Sequence, residues 1–70
     1  MRWMSGRVEA VIALGTPLAH AWLRGDDGTP YAVILEGMWL EEGWRVRLRL
    51  RKAEEWRYPV AVEMERLEGE

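Results

Sequence analysis

The sequence predicts an all-β domain in which five short strands close into a small antiparallel barrel. Three observations carry that expectation. In Trp44-Arg45-Val46-Arg47-Leu48-Arg49-Leu50-Arg51 arginine alternates with apolar residues without a break, a period of two that only a strand satisfies. The other apolar segments are of strand length and are separated by clusters of glycine, proline and aspartate, the punctuation of turns. No amphipathic helical pattern is present to cover an open sheet, so five strands within 70 residues obtain a core and lose their edges by closing on themselves.

The first strand is expected over residues 7–14, with Val8, Ala10, Ile12 and Leu14 on one face and Arg7, Glu9, Val11 and Ala13 on the other. Gly15-Thr16-Pro17 is a turn signal. The second strand covers residues 18–24 and runs into Gly25-Asp26-Asp27-Gly28-Thr29-Pro30, which has the glycines for positive φ and the aspartates for side-chain caps that a hairpin loop uses. The third strand, residues 31–36, holds the unbroken apolar run Tyr31-Ala32-Val33-Ile34-Leu35, as a strand buried on both faces does. Met38-Trp39-Leu40-Glu41-Glu42 between two glycines reads as a short plug or a single 3₁₀ turn, ended by Gly43 in the left-handed region. The fourth strand covers residues 44–52, and residues 53–57 form a hairpin tip. The fifth strand covers residues 58–67, where Pro59 points to a strand start or an edge. Here Val60, Val62 and Met64 share one face, while Glu63 and Glu65 share the other.

No segment repeats, so residues 1–70 are expected to form one small β-barrel domain. With no cysteine, neither a disulfide nor a thiolate metal site can supplement so small a core. Five tryptophans and two tyrosines, with no phenylalanine, supply the large buried surfaces instead. Nine arginines stand against one lysine, and asparagine and glutamine are absent. That pattern favours a thermophile, although a GC-rich genome accounts for the arginine bias equally well. Arg2 and Arg7 ahead of residues 8–19, with Ala19-His20-Ala21, imitate a signal peptide, but Glu9 interrupts the apolar stretch. The expectation is therefore a cytoplasmic protein with no membrane association.

The net charge of −2 conceals a segregated distribution. Residues 1–25 carry +2, residues 26–43 carry −5, residues 44–52 carry +5 and residues 53–70 carry −4. An acidic total argues against a dedicated nucleic-acid binder, while the +5 block permits a local basic patch.

Gly6-Arg7-Val8 opening the first strand, Asp27-Gly28 at the first long hairpin, and Leu40-Glu41-Glu42-Gly43-Trp44-Arg45-Val46 entering the fourth together resemble a minimal OB-fold, with three strands, a short plug and two more strands. An SH3-like barrel is the alternative. The OB resemblance implies oligonucleotide contacts through the face of strands two and three and the loops around it. The strand phenylalanines of the cold-shock branch are missing, and fold alone assigns no function.

Chemistry at a site is sparsely represented. His20 is the only histidine and Ser5 the only serine, and neither has a partner in the pattern of a nucleophilic triad. The pairs Asp26-Asp27, Glu41-Glu42 and Glu54-Glu55 read as solvated turns, because adjacent side chains diverge instead of sharing a cleft. His20 with Asp26 and Asp27 makes a poor metal set. No enzyme activity, cofactor or metal is expected.

Two binding classes remain. Arg45, Arg47, Arg49 and Arg51 stand about 6.7 Å apart along one strand face and could neutralise phosphates, with Lys52 and Arg57 beside them and Trp39, Trp56 and Tyr58 stacking bases. Alternatively, the fifth strand sets Glu63 and Glu65 beside the arginines and neutralises the comb. The first expectation is accordingly a non-catalytic protein-interaction module or homo-oligomer, with exposed tryptophans as the contact surface. A third use of the comb is to pair with an acidic protein surface, such as Glu36, Glu41 and Glu42 of a second copy. Single-stranded nucleic acid binding is the alternative function.

Overall fold

Alternation of apolar and polar side chains produces five strands, β1 (Arg2–Gly15), β2 (Leu18–Gly25), β3 (Pro30–Glu36), β4 (Arg45–Arg51) and β5 (Val60–Arg66). The computed structural model describes residues 2–67; Met1 and residues 68–70, with Glu68 and Glu70 of the acidic C-terminal block, lie outside the described residues. The strands form a closed barrel in the order β1-β2-β3-β5-β4, with β1 completing the ring against β4. Every neighbouring pair is antiparallel except β3 and β5, which run parallel through Ile34 opposite Val60 and Leu35 opposite Ala61. The expected small barrel is thus mostly antiparallel, with one parallel seam. Chain direction reverses at each connection, so the third and fifth strands point the same way and their seam is parallel. No helix of the described residues is long and apolar enough to cross a membrane.

β1 begins five residues earlier than its alternation suggested, because one long strand serves two neighbours. Residues 2–7 pair with β4, and residues 6–15 pair with β2. Gly6 sits where both pairings overlap, and a side chain there would run into the backbone carbonyl of Arg24. A register shift between Val8 and Ala10 inserts an extra residue and reverses the faces beyond it. Val8 therefore points into the core, Val11 packs against that core, and Ile12 is 53% exposed. The expected grouping of Val8 with Ile12 and Leu14 on one face is thus overturned by a bulge.

β5 carries a second correction of the same kind. A shift between Arg49 and Leu50 of β4 leaves Val62 without an opposite residue. Val60 consequently lies opposite Arg51, Ala61 opposite Leu50 and Met64 opposite Leu48, so Val60 and Met64 do not share a face.

The barrel interior is apolar throughout, with Leu23, Val33, Leu35, Val46 and Leu48 at 0% exposure. Leu40 joins them at 0% from the 37–44 connection, which crosses a barrel end without forming a helix. The short 3₁₀ plug is therefore replaced by an irregular segment anchored on one leucine. Gly37 at φ 75° and Gly43 at φ 89° turn the chain into and out of it, a backbone region that glycine enters without a Cβ penalty.

The β4–β5 connection is longer than the expected tip. Residues 52–59 are outside any strand, and Tyr58 and Pro59 belong to this loop. The loop folds back on the outer wall, where Ala53, Ile34 and Val60 form a second small apolar cluster flanked by Leu18 and Trp56. Ile34 N–H donates to the Pro59 carbonyl at 2.8 Å. This cover is why Val33, Ile34 and Leu35 are all buried: one side meets the barrel interior and the other meets the loop.

Candidate functional site

The four comb arginines stand on a strand that is paired on both sides, by β1 and by β5. Their charge is met from three directions. Arg45 reaches Asp26 of the β2–β3 loop at 2.7 Å, and that contact holds the Asp26 carboxyl below the usual carboxylate range. Arg47 meets Glu65 at 3.6 Å, and Arg49 forms an ion pair with Glu63. Arg51 reaches forward to Glu55 at 3.6 Å. On the opposite flank the Trp3 ring lies 4.2 Å from the Arg47 guanidinium and 5.9 Å from that of Arg49, within cation–π range. The strip is a charge-balanced layer of tryptophan, arginines and glutamates.

A second group of cations, which shares Arg51 with the comb, is balanced only in part. Where β4 ends, the loop turns back past the N-terminal end of β1 and encloses a cleft of about 400 Å³. Arg2, Lys52 and Arg57 line it together with Arg51, which meets Glu55, and with Trp56 and Tyr58, and among the described residues no carboxylate contributes to the lining. Among the described residues, Arg2, Lys52 and Arg57 have no ion-pair partner; Arg2 lies 5.7 Å from the Tyr31 ring. Local structure explains the grouping. Lys52 follows directly from β4, Pro59 and the buried Ala53 hold the loop to the wall, and Arg57 and Tyr58 are left exposed between those anchors.

Aromatic surface continues from the cleft onto the outer face of β2. Tyr58 lies 4.7 Å from the His20 ring, which is stacked on Trp22 at 4.2 Å with an interplanar angle of 30°. Sandwiched in this way, the imidazole has its Nε2 buried without a hydrogen-bond partner, and burial pushes its pKa below 6.5. Loss of hydration is what disfavours the imidazolium there.

The structure thus divides the residues singled out in the sequence. Arg51, Lys52, Trp56, Arg57 and Tyr58 come together at one cleft. Arg45, Arg47 and Arg49 lie outside it, on the charge-balanced layer. Trp39, 47% exposed, lines a separate cleft with Ala13, Pro17 and Met38. Ser5 pairs with Arg47 across β1 and β4, while His20 faces Ile34 on the other side of β2, so no contact joins the two. Sequence reasoning missed Arg2, His20 and Trp22. The strand period puts His20 and Trp22 on one face, but nothing local shows that the β4–β5 loop delivers Tyr58 beside them.

No protein-family model, no curated protein and no solved structure matches the chain.

Proposed function

We propose that this protein is a non-catalytic OB-type barrel that binds single-stranded nucleic acid in the cleft between the β4–β5 loop and the start of β1. One observation carries the reading: Arg2, Lys52 and Arg57, without ion-pair partners among the described residues, converge with the half-buried Trp56 and the exposed Tyr58 at the loop that follows β4. Phosphates and bases require that combination, since guanidinium and ammonium groups neutralise the backbone while rings stack sequence-tolerantly on bases. The strand order β1-β2-β3-β5-β4 with β1 closing on β4 supports the OB form over the SH3-like one. The location agrees too, because OB barrels engage strands through the face of the second and third strands and the loop between the fourth and fifth. The paired comb accounts for the acidic total: most of the carboxylates facing β4 serve its arginines and leave the cleft basic.

The test is fluorescence anisotropy with labelled oligo-dT and with duplex DNA at 50 and 200 mM salt. With three to four phosphates contacted, affinity for the single strand drops about 20- to 50-fold across that salt range. Lys52→Glu and Arg57→Glu each weaken binding at least tenfold, whereas Arg47→Ala leaves it within about twofold. Absence of oligo-dT binding at 50 mM salt sinks the proposal, and so does an Arg47→Ala loss as large as that of the cleft variants.

A further inference from the structure

We infer that the free edge of β1 over residues 10–14 is a docking surface for a second copy of this chain, which pairs antiparallel and carries the sheet from one barrel to the next. The inference is independent of the nucleic-acid reading and shares no residue with that cleft. Its basis is the pairing of β1. The β4 side is occupied from Arg2 to Arg7 and then by the connection, where Val8 N–H donates to Trp44 O and Gly43 N–H donates to Val8 O, both at 2.8 Å. Beyond Val8 the connection turns away. Residues 10–13 pair with β2 on one side, Leu14 sits at a second register shift without a partner, and among the described residues no strand pairs on the other side. Backbone groups on that edge are therefore left to water, the arrangement that templates another strand.

Protein edges are ordinarily protected by charge, proline, bulges or shortness. This edge reads Ala10-Val11-Ile12-Ala13-Leu14 and has neither charge nor proline, and its register shifts lie at its two ends. Ile12 is 53% and Leu14 48% exposed, and Ala13 leads into the apolar cleft with Pro17, Leu18, Met38 and Trp39. Trp39, itself 47% exposed, lines that cleft beside the end of β1.

The chemistry selects a second copy as the occupant. In an antiparallel two-fold pair the segment meets itself, so any charge within it would face its own like across the seam. Residues 10–14 contain none, and the nearest charge, Glu9, is 3.6 Å from Arg24 of its own barrel.

Sedimentation equilibrium from 1 to 100 µM tests this, combined with amide hydrogen exchange over the same range. The expected result is twice the 8.2 kDa chain mass, with amides of residues 10–14 exchanging at least tenfold more slowly at high concentration. Ile12→Lys, at an exposed position, weakens the dimer at least tenfold while circular dichroism stays unchanged. A monomer at 100 µM overturns the inference. So does a dimer whose residues 10–14 exchange at the same rate at every concentration, because its interface is then elsewhere.

Discussion

Arg49 and Glu63 lie directly opposite each other across the β4–β5 ladder, and their side chains meet in an ion pair on the outer wall of the barrel. Arg47 and Glu65 repeat the arrangement one pleat further on. Alternating arginine on one strand and alternating glutamate on the next are thus two halves of one layer. What looks like a phosphate comb in the linear sequence is an internal salt-bridge ladder in the barrel.

Both side chains of the Arg49–Glu63 pair are partly exposed, at 37% and 51%, so the pair adds little to stability. A double-mutant cycle with Arg49→Ala and Glu63→Ala, measured by urea unfolding, yields a coupling of about 0.2 to 1 kcal/mol that shrinks as salt rises. No coupling at low salt would show that the two side chains are not paired in solution.

Leu40 stands in the connection without secondary structure, yet it is fully buried. Its truncation therefore removes core, and Leu40→Ala costs about 2 to 5 kcal/mol. A core of this size rarely supplies more than about 3 to 5 kcal/mol in total, so the variant is largely unfolded at room temperature or melts far earlier. A urea midpoint that does not move would remove the connection from the core.

His20 links stability to pH with a definite sign. Its folded pKa lies below 6.5 because burial disfavours the imidazolium, so the unfolded chain takes up the proton first as pH falls. The contribution is fully present above 6.5 and is lost as pH falls from there through the folded pKa. Unfolding free energy should decline between pH 7 and pH 5 in the native protein and less so in His20→Phe, which keeps the stack with Trp22 and Tyr58. Asp26, whose pKa is lowered from 3.8 by Arg45, contributes above 3.8 and loses that contribution only at more acidic pH. An NMR titration of His20 with a midpoint above 6.5 would refute the assignment.

Legibility from sequence differed by element. The stretch from Val46 to Leu50 displays its buried and solvent faces in its residue order, and Gly43 marks the left-handed entry to β4. Strict alternation failed at two extra residues in β1 and at one in β5, and each irregularity redirected the side chains beyond it. No residue type announces such a bulge, because it arises from how a strand must bend to meet two neighbours on a closed surface. The cleft was half legible. Lys52, Trp56, Arg57 and Tyr58 are close in sequence and remain together, while Arg2 enters only because β1 ends its run opposite Leu50.

Residue order alone dictates five strands, no helix to cover them, and therefore closure. It also dictates that β4 buries one face and presents arginine on the other, since strand periodicity is a property of each chain segment. What those arginines meet, which cations stay unpaired and which edge stays open were settled in the folded barrel. Those outcomes depend on register between residues far apart in the chain, and a shift of one residue exchanges one face for the other.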